Sequence, residues 1–181
     1  MEIIELEIQG LVLLKPKVFN DDRGYFYESY NKEILENTLG FSIDFVQDNE
    51  SLSSKDVLRG LHFQEAPFEQ AKLVRVIKGR VTDVCVDIRS GSPTFGKHIK
   101  VELSEQNKHL LFIPAGFAHG FVTREDNTIF SYKCSSFYNR SSENSILWND
   151  QELGIDWEVI DPIISDKDRS ANPLKELDTV F

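Results

Sequence analysis

Apolar residues return at every second position through much of the middle of this chain. That period commits the segment to β-strands, because side chains on a strand alternate between its two faces. In His98-Ile99-Lys100-Val101-Glu102-Leu103, the apolar Ile99, Val101 and Leu103 alternate with polar neighbours, the pattern of an outer strand with one wet face. From Val81 to Arg89, Val84, Val86 and Ile88 share one face while Asp83, Cys85, Asp87 and Arg89 share the other. Leu73 to Ile77 and Val81 to Ile88 are joined through Lys78-Gly79-Arg80, which predicts a hairpin. Further strands are expected near residues 11–19, 25–30, 42–53, 109–113, 119–124 and 128–136, with Asp126-Asn127 marking the turn between the last two. One early helix is predicted: Asn31 caps it, Ile34, Leu35 and Leu39 form its apolar stripe, and Gly40 ends it. Beyond about residue 150 the pattern gives one or two short helical turns within irregular structure. Many short strands with few helices predict antiparallel sheets arranged as a sandwich or barrel.

The 181 residues suffice for one well-filled core, and we read a single domain over residues 1–181. Thirty acidic residues against 20 basic ones give a net charge of −10, which opposes nucleic acid or an anionic membrane as partner. A few locally concentrated cations can still hold a phosphate in such a protein. The apolar runs are too short for a membrane span, and the acidic start Met1-Glu2-Ile3-Ile4-Glu5 does not resemble a signal peptide, so a cytoplasmic location is expected. Cys85 and Cys134 lack the CxxC spacing of a zinc site and read as structural thiols. No Gly-rich loop follows a strand, which argues against a Rossmann or P-loop nucleotide site.

Of four histidines, two lie in matched glycine-flanked settings: His62 in Arg59-Gly60-Leu61-His62-Phe63-Gln64, and His119 in Pro114-Ala115-Gly116-Phe117-Ala118-His119-Gly120-Phe121. A neutral imidazole can take a proton near pH 7 or bind a metal, and flanking strands hold it rigidly enough for either. His98 and His109 fall on polar strand faces or at a turn and are assigned no role.

The PxGxxH spacing of Pro114, Gly116 and His119 resembles the second motif of the cupin families. That resemblance implies a mainly β fold, a double-stranded β-helix or jelly roll with a few short helices. Metal-binding cupins offer HxH in their first motif. Here His62-Phe63-Gln64 substitutes an amide, a poor ligand for soft divalent metals, so no metal is expected, and the resemblance implies no other cofactor. A longer series is more specific. Asp22-Arg23-Gly24-Tyr25-Phe26-Tyr27-Glu28, the His62 segment, Lys72-Leu73-Val74-Arg75-Val76, Asp83-Val84-Cys85-Val86-Asp87-Ile88-Arg89, the His119 segment, Trp148-Asn149-Asp150 and Ser165-Asp166-Lys167-Asp168 are similar in order and spacing to the dTDP-4-dehydrorhamnose 3,5-epimerase family. The resemblance covers nearly the whole chain. It implies a metal-free homodimer of dTDP-L-rhamnose synthesis, acting on dTDP-4-dehydro-6-deoxy-D-glucose between a dehydratase and a reductase.

Inverting a carbon beside a ketone requires a base on one face of the ring and an acid on the other. The resemblance implies His62 as the base and Asp168 as its carboxylate partner, with Asp166 a rival. Asp83 is a second candidate carboxylate near the base. Tyr132 matches the proton donor, and Lys72 the cation beside the C4 oxygen. Arg23, Glu28, Gln47, Asn49, Arg59, His119, Glu143 and Lys167 match positions that hold the sugar nucleotide, with Arg23 and Glu28 reaching across the dimer. Phe26 and Tyr138 match aromatic positions near the thymine. Phe63 departs from the Tyr common in its motif. Alternative readings are an epimerase of one carbon only, a non-catalytic sugar-nucleotide-binding cupin, and a metal-dependent cupin oxygenase or isomerase. Taken alone, Tyr132 is an aromatic core residue and Glu143 a solvent-facing charge.

Overall fold

A computed structural model describes residues 1–177 and 181. Its strands form two antiparallel sheets packed face to face, the jelly-roll arrangement expected from the sequence. The first sheet is ordered β1 (Glu2–Glu5), β2 (Val12–Lys15), β10 (Leu110–Ile113), β7 (Lys72–Lys78), β12 (Thr128–Cys134) and β5 (Gln47–Ser53). The second is ordered β13 (Glu143–Ser145), β6 (Leu58–Gln64), β11 (Phe117–Thr123), β8 (Arg80–Asp87) and β9 (His98–Ser104). A separate exposed hairpin pairs β3 (Phe19–Asp21) with β4 (Gly24–Phe26). The expected strand at 11–19 is therefore split between β2 and β3, and those at 25–30 and 42–53 shorten to β4 and β5. Strands β1 and β13 were not anticipated.

The predicted hairpin through Lys78-Gly79-Arg80 does not form. β7 pairs with β10 and β12 in the first sheet, whereas β8 pairs with β11 and β9 in the second. The three residues instead turn the chain from one sheet to the other. Gly79 suits that corner with φ of 79°, and a Cβ there would lie 2.4 Å from Thr128 Oγ1. Burial on both faces of β8 explains the outcome. Val81 and Cys85 enter the core between the sheets with Val74, Val76 and Phe130. Val84, Val86 and Ile88 face outward, under Leu153, Trp157 and Leu174 of the C-terminal segment. A hairpin to β7 would forfeit this division of apolar surface, worth roughly 25 cal/mol per Å² buried.

Helix α1 (Lys32–Leu39) forms as the sequence specifies: Asn31 Oδ1 accepts from the Ile34 N–H, and Gly40 closes it at φ 75°. Its Leu35 joins Ile43, Val12, Leu14 and Phe112 on the outer face of the first sheet. At the other end of the chain, Ser165 caps α2 (Asp166–Arg169), its Oγ accepting from the Asp168 N–H. Cys85 and Cys134 are both buried free thiols. Among the described residues no helix is long and apolar enough to cross a membrane.

The two histidine segments lie side by side as β6 and β11, with His62 directly opposite His119 and a register shift immediately after. Glycine is required at the shift. A Cβ on Gly120 would sit 2.7 Å from the Arg59 carbonyl oxygen, and one on Gly60 would sit 2.5 Å from Gly120 Cα. Both obstacles are backbone and cannot swing aside. Gly120→Ala is accordingly expected to destabilise the fold by about 1–3 kcal/mol. Urea unfolding checks this, and an unchanged midpoint and slope would contradict the packing described.

Candidate active site

Because opposed residues on paired strands share a face, the inner surface of each sheet can be read as rows. On the second sheet one row runs His62, His119, Cys85, Ile99. On the first, Asn49, Tyr132 and Val74 form one row, and Gln47, Cys134 and Lys72 the next. Cys85, Ile99 and Val74 continue these rows into the core, whereas His62, His119, Asn49, Tyr132, Gln47 and Lys72 line a cleft between the sheets. Its main lobe, about 700 Å³, is lined among others by Arg59, His62, Lys72, His119, Tyr132 and Asp168. An adjoining lobe of about 340 Å³ adds Gln47, Gln64 and Tyr138 and shares His62, Lys72, Tyr132 and Glu143 with the first.

His62 and Asp168, more than a hundred residues apart, meet because the C-terminal segment returns across β6. The imidazole Nε2 lies 2.6 Å from Asp168 Oδ1, while Asp168 Oδ2 accepts the Gly60 N–H at 3.1 Å. Burial of Asp168 would raise its pKa, but the bond and charge of His62, the Gly60 N–H and Lys167 outweigh it and hold the carboxyl below its ordinary range. With Nε2 turned to this carboxylate and carrying the hydrogen, Nδ1 remains as the basic nitrogen. Asp166 is exposed and is not the partner.

Asp83 is not the partner of the base. β11 lies between β6 and β8, so the Asp83 carboxylate meets the imidazole of His119, with Nε2 at 3.0 and 2.9 Å from its two oxygens. It is fully buried and does not line either lobe, so the expectation that it contacts ligand is corrected. His119 itself lines the main lobe. Burial lowers its pKa and outweighs the opposing Asp83 charge, which favours a neutral ring.

Lys72 is only 8% exposed, with Nζ 3.4 Å from the His62 carbonyl oxygen. Desolvation lowers its pKa against the pull of negative neighbours that include Asp83 and Glu143. For Tyr132, burial raises the pKa, with Arg59 opposing, so the phenol holds its proton at neutral pH. Arg59 is held by Ser53, whose Oγ accepts from Nε at 3.3 Å and Nη2 at 3.2 Å. Gln47 donates to Asn49 Oδ1 at 3.0 Å.

Across the mouth, Glu143 Oε2 accepts from the Tyr138 hydroxyl at 2.9 Å and pairs with Lys167 Nζ at 2.5 Å. Desolvation opposes its ionisation, but these two partners keep the Glu143 carboxyl below its usual range. Glu143 is therefore not a solvated surface charge. Arg23, Phe26 and Glu28 lie on or just after the exposed hairpin and line neither lobe of their own chain.

Sequence reasoning passed over Ser51 and noted Gln64 only as an amide in place of a metal ligand. Ser51 lines the main lobe, and its buried Oγ has no hydrogen-bond partner. Gln64, 4% exposed, anchors loops through its amide. Ser51 carried no clear sign in the sequence, because its strand reads Gln47-Asp48-Asn49-Glu50-Ser51-Leu52-Ser53 and is polar on both faces; only burial of alternate residues in the fold tells the cleft face from the outer one. Among the described residues, no three His, Cys, Asp or Glu side chains gather as a metal-ligand set.

This arrangement places an imidazole backed by a carboxylate on one sheet, a protonated phenol on the facing sheet, and a buried ammonium in the same cleft. Those are the elements of proton abstraction and return beside a carbonyl. A profile of the dTDP-4-dehydrorhamnose 3,5-epimerase family matches residues 5–176. The dTDP-4-dehydrorhamnose 3,5-epimerase of Salmonella typhimurium is 52% identical over 172 residues, spanning 94% of each chain. The crystal structure of dTDP-6-deoxy-D-glucose-3,5-epimerase from Legionella pneumophila, in complex with dTDP-4-keto-L-rhamnose, is similar with a TM-score of 0.94 and 47% identity, covering 98% of this chain and 94% of that one. ChmJ, a 3'-monoepimerase from Streptomyces bikiniensis in complex with dTDP-quinovose, is similar at a TM-score of 0.90 and 34% identity, covering 94% and 86%.

Proposed function

This chain belongs to the dTDP-4-dehydrorhamnose 3,5-epimerase family, and from that premise we infer that it inverts C3 and C5 of dTDP-4-dehydro-6-deoxy-D-glucose by acid-base chemistry in the cleft between its sheets. The observation that carries this reading is the opposition of two groups across one cleft: the His62–Asp168 pair on the second sheet and Tyr132 on the first.

His62 Nδ1 takes the proton from C3, and the electron pair of the broken C–H bond moves through C4 to its oxygen as an enolate. The Asp168 carboxylate stabilises the imidazolium so formed. Lys72 stabilises the negative charge on the C4 oxygen, and its burial strengthens that interaction by excluding water. Tyr132 returns a proton to the opposite face; its phenolate is then reprotonated from solvent and the His62 imidazolium releases its proton to solvent, which resets both groups for the second carbon. C5 also adjoins C4, so the same enolate-stabilising centre serves both inversions.

Arg59 and Lys167 are suited to the diphosphate, Gln47, Asn49, His119 and Glu143 to the sugar nucleotide, and Tyr138 to stacking on the thymine. Arg23, Phe26 and Glu28 complete the site of a second copy in a homodimer, a role supported by their position on an exposed hairpin away from their own cleft. The protein acts in the cytoplasm, after a dehydratase that makes the 4-keto sugar and before a reductase that consumes the product.

The test is incubation with dTDP-4-dehydro-6-deoxy-D-glucose together with a dTDP-4-keto-rhamnose reductase and its nicotinamide cofactor. Oxidation of the cofactor at a rate proportional to added epimerase is expected. No oxidation above the reductase alone would contradict the proposed activity.

A further inference from the structure

Phe137, Tyr138 and Asn139 follow one another in the loop between β12 and β13, and a glutamine side chain holds a backbone group of each. Gln64 Nε2 donates to the Phe137 carbonyl at 3.2 Å and to the Phe68 carbonyl at 2.7 Å. Gln64 Oε1 accepts the Asn139 N–H at 2.8 Å, and Gln47 Oε1 accepts the Tyr138 N–H at 2.9 Å. The two glutamines come from different sheets, Gln47 from β5 and Gln64 from β6.

Such a buried amide is not needed to fill space. An apolar side chain would occupy the position without the desolvation that an amide must offset with hydrogen bonds. What the amide secures is the loop. Its ring-bearing residues are held in the open, Phe137 at 64% exposure and Tyr138 at 54%, where loop side chains are ordinarily mobile. Both hydrogens of the Gln64 amide are committed to carbonyls, so it has none to donate to a ligand.

We propose that Gln64 is a positioning residue for nucleotide binding: by clamping the backbone on either side of Tyr138 it fixes that ring as a preformed stacking surface. The proposal rests on the reading of Tyr138 as the wall for the thymine. Fixing the ring before the ligand arrives removes an ordering cost from binding while leaving the proton-transfer groups untouched.

The test uses Gln64→Met, close in length and unable to make these bonds, with dTDP as probe in titration calorimetry. The Kd for dTDP and the KM for the sugar nucleotide are both expected to rise about tenfold, the scale of a weakened stacking contact. The kcat at saturation should stay within about threefold of wild type, the mark of lost binding common to ground and transition state. Tyr138→Ala should weaken dTDP binding as well, and adding Gln64→Met to it should cause no further loss, because the clamp then has no ring to position. Unchanged dTDP affinity in Gln64→Met, or fully additive losses in the double variant, would overturn the proposal. If Gln64→Met does not fold, Gln64→Glu keeps the acceptor for the Asn139 N–H and carries the same comparison. Failure of the wild-type protein to bind dTDP would overturn the reading of the lobe itself, and this proposal with it.

Discussion

Replacement of His62 by asparagine is expected to lower turnover by about 10²–10⁴-fold, the contribution of a positioned general base. The shorter asparagine amide does not reach Asp168, but the carboxylate keeps the Gly60 N–H as a partner, so the fold is retained. What disappears is the basic Nδ1, since an amide nitrogen has no available lone pair. Asp168 cannot take over, because one oxygen is held by the Gly60 N–H and its side chain is 5% exposed. Saturation kinetics of the His62→Asn variant, beside a circular dichroism spectrum matching wild type, check this. Near-normal turnover would remove His62 as the base.

Lys72→Met should change activity and stability in opposite directions. Turnover is expected to fall about 10²–10³-fold, as when a donor to a developing oxyanion is deleted. The melting temperature should stay level or rise, because the depressed pKa of Lys72 records a desolvation cost to its charged form that methionine does not incur. The sign follows from linkage. A lysine whose folded pKa lies below its unfolded value binds protons more weakly when folded, so its charge opposes folding at pH 7 and ceases to do so above the unfolded pKa. The stability difference between the two proteins should therefore shrink as pH rises through that range. Retained activity, or a large loss of stability at neutral pH, would show that Lys72 is structural.

Much of this was legible in the chain because its signals are local. The period-two pattern of Ile99, Val101 and Leu103 placed β9, which is indeed the edge strand of its sheet, and Asn31 with Gly40 bounded the one long helix. What depended on partner choice was not legible. Lys78-Gly79-Arg80 has the chemistry of a tight turn in either a hairpin or a corner, and only burial of both faces of β8 selects the corner. The same limit affected Asp83. Its position on the face of β8 that carries Cys85, opposite Val84, was read correctly, but which histidine it meets is decided by the strand that intervenes. The family motif, not periodicity, led to Asp168, because a carboxylate in a polar tail carries no local sign that the tail folds back onto β6. Gln64 was noticed only as a missing metal ligand; its bonds are to backbone groups, which leave no trace in side-chain pattern.

The measurement that tests the central claim most directly is proton NMR of dTDP-4-dehydro-6-deoxy-D-glucose with the protein in deuterated water, for wild type and Tyr132→Phe. The account predicts loss of both the C3 and C5 proton signals with wild type. With Tyr132→Phe it predicts continued exchange alongside sharply reduced inverted product, because the base on one sheet survives while the acid on the other is gone. Exchange at neither carbon with wild type, or full inversion by Tyr132→Phe, would contradict a base and an acid acting from opposite sheets.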